Sequence, residues 1–263
     1  LFSLSHNLPV GYGRVDADMS VRADTYPNTP QFRVGIVVPL FSRGAYVARF
    51  LESLAGTDLH NCLVVLVDES MTKGICSDAK EVHRQVREFG LPNTSVIKVF
   101  KAQHGNMFDS ILTGLDAIAP FCKYVSTIDS DTVHRSNWID ACIRLHESEP
   151  IRGSKSPTIL TGFNTTNSGK HAVLEAHDTY ASKSSIGGCH MFFSSNIYWS
   201  TVRPGLTSHK WDTNVIVNLK KRGGNIYATT PSVVDHIGRV SSGHRADASA
   251  QSDNEAFDVA ADF

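Results

Sequence analysis

Four times in its first half the chain sets a short apolar run ahead of an amphipathic stretch, and few folds accommodate that alternation. FRVGIVVPL (32–40) is a continuous apolar run dense in β-branched residues. Such a run suits a strand buried on both faces, because a strand with one wet face would alternate with polar residues. AYVARFLESLAG (45–56) follows with helical spacing and ends on Gly56. CLVVLVDES (62–70) repeats the strand pattern and ends in acids, and AKEVHRQVREFG (79–90) repeats the helix, stopped by Gly90. SVIKVF (95–100) predicts a third strand and 106–118 a third helix. KYVSTIDSD (123–131) predicts a fourth strand, again ending in acids, and Ser136 is placed to cap the helix through WIDACIRLHE. Four strand–helix units in a row imply an α/β fold with a mostly parallel sheet covered by helices. Ligands of such sheets bind beyond the carboxyl ends of the strands. The polar residues expected there are Ser42 and Arg43, Asp68 to Ser70, and Asp129 to Asp131.

The second half is less regular. PTILTGF (157–163) and CHMFFS (189–194) read as strands. DTNVIVNLKKRGG (212–224) reads as a helix with Lys220, Lys221 and Arg222 at its negative end and Gly223 as its stop. NIYATT (225–230) reads as a short strand before PSVVDHIG (231–238). Residues 1–31 carry little periodicity and read as an arm or linker. Residues 239–263 hold no apolar stripe and read as a tail or linker. The domain is therefore expected over 32–238, with a first half over 32–135 and a second over 136–238. The leading Leu, in place of Met, suggests a piece of a longer chain, with further domains, or a processed start.

Charge and cysteine content narrow the class. Lys+Arg number 25 and Asp+Glu 26, a net charge of -1, which argues against a nucleic-acid partner. The longest apolar run, 34–41, falls far short of the roughly 20 residues a spanning helix needs, so no transmembrane segment is expected. Cys62, Cys76, Cys122, Cys142 and Cys189 are odd in number, scattered and without a CxxC pair. They read as reduced thiols, and hence a cytoplasmic protein.

Asp129-Ser130-Asp131 is the sharpest local feature. Two carboxylates one residue apart, leaving a buried strand, can converge on one hard cation such as Mg²⁺ or Mn²⁺. The same three residues also make an ordinary turn, since Asp and Ser bond readily to nearby backbone. The first strand–helix turn reads PLFSRG, without the glycine fingerprint of dinucleotide sites, and no P-loop pattern occurs anywhere. A metal is the handle for phosphates that this absence favours.

With these motifs in place, the chain resembles the GT-A glycosyltransferases, and among them the inverting family 2. VGIVVPLFSRGAYVARFLESL resembles that family's opening strand and helix, and VVLVDES its second strand with an acidic ending. HGNMFDSILTGL, YVSTIDSDTVHRSNWI, IGGCHMFFSSNIYW and HKWDTNVIVNLKKRGGNIY resemble four further elements, in the family's order. The departures are Trp211-Asp212 for an E-D pair, Glu69 for a second Asp, and His104 where Asn is usual. The resemblance implies a Rossmann-like sheet with a smaller acceptor-side subregion, and transfer of a sugar from a nucleotide diphosphate, UDP favoured over GDP or dTDP, to a glycan or glycolipid hydroxyl. It implies that Pro39, Phe41 and Arg43 lie under the base and phosphates, and that Asp68 or Glu69 accepts a hydrogen bond from the base. Gly105 would let the backbone approach the nucleotide. Asp129 would contact ribose or donor sugar and join Asp131 and a late histidine, His236 with His244 as the reserve, around Mn²⁺ or Mg²⁺. Asp212 would be the general base, or simply a first-turn helix acid, and the two readings are compatible. Gly187, Gly188 and Trp211 would face the acceptor, Trp211 equally as a core residue. A non-catalytic nucleotide-sugar or glycan-binding module of a larger assembly protein is the alternative function.

Overall fold

The computed structural model describes residues 29–72, 77–103, 105, 107–165, 171–208 and 210–238. Residues 1–28 of the arm expected over 1–31, the tail over 239–263, and Cys76, His104 and His244 lie outside these residues. The first half folds as its periodicity predicts. Strands β1 (Phe32–Leu40), β2 (Cys62–Asp68), β3 (Ser95–Phe100) and β4 (Cys122–Ile128) alternate with helices α1 (Gly44–Ala55), α2 (Ala79–Glu88) and α3 (Met107–Ile118). β1 pairs in parallel with β2 on one side and β4 on the other, and β2 pairs in parallel with β3. Every residue of β2, and β1 from Val34 onward, is buried, which is why these strands read as unbroken apolar runs.

β2 ends at Asp68 and β4 at Ile128, short of the predicted 70 and 131. Asp68 is therefore the last residue of the β2 ladder, while Glu69, Asp129 and Asp131 stand in the turns beyond the sheet. The chain then forms the short β5 (Thr132–His134), which the sequence reading missed, before α4 (Trp138–Glu147) and the single turn α5 (Glu149–Arg152). Ser136 does not cap α4. The helix starts after Asn137 with no side-chain cap, because a turn from Arg135 O to Trp138 N, 3.1 Å, already carries the chain into the helix.

The second half extends the same sheet. β6 (Thr158–Thr161), the edge hairpin β7 (Val173–Ala176) and β8 (Tyr180–Lys183), β9 (His190–Ser194) and β10 (Asn225–Thr229) complete an order of β3-β2-β1-β4-β9-β6-β10-β8-β7. β9 is antiparallel to β4 and β6, while β10 is parallel to β6 and antiparallel to β8. After β9 the single turn α6 (Ser195–Ile197) leads through tight and wide turns to α7 (Trp211–Lys221). Gly223, at φ +67°, ends α7 as predicted, its N–H bonded to Lys220 O at 3.0 Å. The last strand, β11 (Val234–His236), pairs with β5 in a separate two-stranded ribbon. One core packs α1, α2 and α4 against the sheet and the other packs α3 and α7 against its opposite face. Cys62, Cys122, Cys142 and Cys189 are free thiols. No helix among the described residues is long and apolar enough to cross a membrane.

Two histidines lie fully inside, at the root of the acidic turns. His190 on β9 accepts the Gly162 N–H through Nδ1 at 2.8 Å, so its proton sits on Nε2 near the Ser126 hydroxyl. His134 on β5 is held between the Ser53 and Thr132 hydroxyls at 3.2 and 3.1 Å. Burial pushes both down to about 3. The native state thus keeps them neutral while the unfolded chain takes up protons below its ordinary histidine value of about 6.5. Their contribution to stability is complete above that value and is lost as pH falls toward 3, at about 1.4 kcal/mol per pH unit for each ring. Urea midpoints measured from pH 7.5 to pH 4.5 are expected to fall on the acid side, with a shallower slope in His190→Gln. A flat profile would refute this account.

Candidate functional site

The turns that follow β1 and β4 leave the same sheet edge side by side, since the two strands are parallel neighbours. Arg43 takes up left-handed backbone, φ 67° and ψ 54°, immediately before α1. Its carbonyl accepts from Tyr46 and Val47 N–H, and the first helical donor, Gly44 N–H, is taken by Asp78 Oδ2 at the start of α2. A non-glycine residue in this conformation costs of order 1 kcal/mol and persists only where its surroundings fix it. Here the guanidinium reaches across to Asp131 Oδ2 and lies 5.3 Å from the centre of the Tyr46 ring.

Asp131 is the centre of the site. It is only 3% exposed, and its Oδ2 is shared by Arg43 and by His236 Nε2 at 3.2 Å. Its Oδ1 is buried without a hydrogen-bond partner. β11 delivers His236 by pairing it opposite Thr132, and the following N–H groups of Ile237 and Gly238 both donate to Asp131 O. Gly238 is required by space: a Cβ there would overlap the Asp131 carboxylate. Burial by itself would raise the Asp131 carboxyl, but the bond to His236 and the charges of His236 and Arg43 pull it below its usual value. Burial opposes charge on His236 too, and Asp131 overcomes it, so the imidazole is held above its usual value.

Asp129 is half-buried and anchored by its N–H on Cys189 O at 2.9 Å. Desolvation, then the neighbouring charge of Asp131, push its carboxyl up, against the pull of His236 and Arg43. The negative charge of Asp212 also reaches Asp129 and adds to that push. The start of α7 thus lies near enough for its charge to be felt at Asp129, although 81 residues separate Asp131 from Asp212 in sequence. Asp212 Oδ1 accepts its neighbour's Thr213 N–H at 2.7 Å, so the local helix-start role is present beside any other.

The base side departs from expectation. Neither Asp68 nor Glu69 presents a free carboxylate to a ligand. Asp68 Oδ1 accepts from Ser70 N–H at 2.8 Å, and its Oδ2 is paired with His83 Nδ1 at 2.9 Å. Glu69 accepts from Lys101 Nζ at 2.9 Å, from Gly105 N–H at 3.0 Å and from the Ser110 hydroxyl. Burial would raise Glu69, but these partners lower it below the usual carboxylate range. Glu69 thus ties the end of β2 to the end of β3 and the start of α3. Gly105 belongs to this knot, since a Cβ there would press on Lys101 and Asp109. The physical reason is desolvation: acids 2% and 4% exposed need partners inside the protein. Pro39, Phe41, Arg43, Glu69, Met107 and Ser130 line a small pocket of about 140 Å³ at the end of β1.

On the other flank, Trp211 is 4% exposed and lies in the core beneath α7, so it offers no ring face for a sugar. Gly188 packs directly on it, with room for no side chain: a Cβ would stand 2.5 Å from Trp211 Cζ2. Gly187 is less confined, a Cβ there meeting only His171 Nε2 at 3.7 Å. His83, Lys101, Ser110 and Gly238 are the site residues the sequence reading passed over. A signal existed for Gly238, two residues after the late histidine, but none for His83, which sits on an ordinary amphipathic helix.

Among the described residues no three His, Cys, Asp or Glu side chains form a ready cage for a metal ion. The donor set nonetheless fits a hard divalent cation. An unpartnered, buried carboxylate oxygen on Asp131 stands beside a second carboxylate, and Mg²⁺ or Mn²⁺ ordinarily takes one or two carboxylates and fills its other positions with water and phosphate oxygens.

No protein-family model matches the chain, and no curated protein does. Solved structures do. S. aureus TarS 1–349 superposes with a TM-score of 0.52 at 13% identity, covering 75% of this chain and 58% of that one. The same fragment in complex with UDP-GlcNAc gives 0.51 at 12% identity, covering 80% and 62%. A mannosyltransferase from Pyrobaculum calidifontis, in complex with GDP-Man and Mn²⁺, gives 0.49 at 13% identity, covering 76% and 56%. The chain spans about three fifths of the TarS fragment it matches. At these identities the TarS likeness establishes the fold alone: a large, mostly parallel sheet flanked by helices.

Proposed function

We propose that the chain is a metal-dependent glycosyltransferase of the GT-A type, moving a sugar from a nucleotide diphosphate to a hydroxyl of a glycan or glycolipid. The observation that carries this reading is the meeting of Asp129, Asp131, Arg43, His236 and the field of Asp212 at the carboxyl edge of the sheet. Three acids from two distant segments, balanced by two cationic groups, suit a ligand that is itself a strong anion held through a cation. Asp131 Oδ1, with Asp129 and His236, would hold Mg²⁺ or Mn²⁺. When bound, that ion supplies positive charge against the leaving diphosphate. Arg43 would offer its guanidinium to the phosphate oxygens, for which its planar fork is well shaped. Pro39 and Phe41 would form the floor under the nucleoside.

Asp212 sits at the start of α7, an element anchored by the buried Trp211. In the proposed reaction its carboxylate takes the proton of the acceptor hydroxyl. The acceptor oxygen bonds to the anomeric carbon as the bond from that carbon to the diphosphate oxygen breaks, and the nucleoside diphosphate departs with the electron pair. Attack opposite the leaving group inverts the anomeric centre. General-base assistance is worth about 10²- to 10⁴-fold in rate. A UDP-sugar is the favoured donor, and a cytoplasmic location accords with the free thiols.

Incubation with UDP-, GDP- and dTDP-sugars and Mn²⁺, over a panel of glycan and glycolipid acceptors, is expected to release nucleoside diphosphate in step with product. Asp131→Ala should abolish turnover and weaken binding of nucleotide with Mn²⁺. Asp212→Asn should cut kcat by at least 10²-fold while leaving the Kd for nucleoside diphosphate unchanged. Retained turnover in Asp131→Ala would remove the metal assignment, and full kcat in Asp212→Asn would remove the base. Nucleotide binding without turnover of any donor would identify the chain as a binding module instead.

A further inference from the structure

Both of the carboxylates expected to read the nucleobase, Asp68 and Glu69, are engaged by protein groups, and the side chain that Asp68 holds points to a different reader. Asp68 is 2% exposed, with one oxygen on Ser70 N–H and the other on His83 Nδ1. A carboxylate accepts only, so His83 Nδ1 must carry the proton of this bond. In the neutral ring that fixes the tautomer and leaves Nε2 with a lone pair. His83 itself is 31% exposed at the side chain. Its ring rests against Phe100, centroids 4.9 Å apart, and Phe100 is 44% exposed. Asp68 and Phe100 are register partners at the ends of β2 and β3. An oriented acceptor and an open aromatic face therefore stand together at the ligand edge of the sheet.

Strand order fixes how far this pair lies from the phosphate site. The Asp129–Asp131 turn leaves β4, and the order β3-β2-β1-β4 puts β2 two strands away and β3 three. At about 4.8 Å per strand that is about 10 to 14 Å, the reach of an extended nucleoside diphosphate with its phosphates at Asp131. We infer that His83 and Phe100 form the nucleobase subsite, His83 Nε2 accepting an N–H from the pairing edge of the base while Phe100 gives it an apolar wall. This deepens the nucleotide-sugar reading above and rests on it. Uracil and thymine at N3 and guanine at N1 present such an N–H, whereas cytosine and adenine present a bare nitrogen there. Asp68 is then a positioning residue that acts through His83.

Calorimetric titration of the full chain with UDP, dTDP, GDP, CDP and ADP, each with Mn²⁺, tests the assignment. The unmodified protein is expected to bind at least one of UDP, dTDP and GDP about tenfold or more tightly than CDP and ADP, the size of one well-formed hydrogen bond to a base. His83→Ala should erase that preference, losing about tenfold for the preferred nucleotide and little for CDP. His83→Asn, which restores an acceptor, should recover part of it. Asp131→Ala should weaken all five alike. Circular dichroism of each variant confirms the fold. A folded His83→Ala protein that keeps the preference overturns the subsite and leaves the transferase reading standing, as does an unmodified protein that prefers CDP or ADP. An unmodified protein that binds none of the five overturns both.

Discussion

Parallel pairing of β1 with β2 and β4 is the constraint on which everything else depends. Val34, Ile36, Val37 and Val38 are 0% exposed, and each buried aliphatic side chain is worth about 1.5–3 kcal/mol. Burial on both faces is achieved only if helices approach closely, and two glycines allow it. A Cβ on Gly35 would strike Ile118 and Cys122, and one on Gly114 would strike Val37. α3 therefore rides directly on β1. Parallel strands with helical returns must all end at the same edge, so the acids after β2 and β4 are brought within a few strand spacings of each other by backbone topology, before any of them forms a bond.

Collecting acids at one edge raises an electrostatic cost that the fold offsets by different means on its two flanks. At the end of β2 the acids are satisfied inside the protein: Glu69 by the charge of Lys101, Asp68 by hydrogen bonds from an imidazole N–H and a backbone N–H. In the turn after β4 compensation is incomplete. Asp131 has one oxygen shared by Arg43 and His236 and the other buried without a partner, and Asp129 is driven toward its neutral form by desolvation and by the charge of Asp131. A satisfied network rigidifies, whereas an unsatisfied one marks where a ligand belongs. The contrast separates acids held by protein partners from acids left incompletely paired, although both follow apolar strands in the same way.

That contrast also explains what the sequence made legible. The four parallel strands, their helices and the acidic turns were readable because a doubly buried strand leaves an unbroken apolar run and a helix leaves a 3.6-residue period. Arg43, Asp129 and Asp131 were readable together because chain order in an α/β series predicts which turns share an edge, whereas His236 was indicated only by the family resemblance. The inward orientation of Asp68 and Glu69 was not readable, since partners such as His83 and Ser110 come from helices whose polar residues look like any solvated face. β5 and β11 are three residues each, too short for a period. β7 is exposed at every position and so carries no alternation. Ser136 failed as a cap because a backbone turn had already supplied the geometry a cap would give.

The antiparallel half illustrates how a distant residue can be held to the tolerance a reaction requires. Asp212 is one residue from Trp211, and Trp211 is locked by a core on one side and Gly188 on the other. Gly188 immediately precedes Cys189, whose carbonyl receives the Asp129 N–H. The chain of contacts from α7 through Trp211, Gly188 and Cys189 to Asp129 is thus short, packed and free of long flexible side chains. A tryptophan buried here ties the start of α7 to the segment whose carbonyl anchors Asp129. Positions built on rigid elements hold their geometry better than positions on loops. The sequence neighbour of the proposed base is therefore apolar for a reason that belongs to the site and not only to the core.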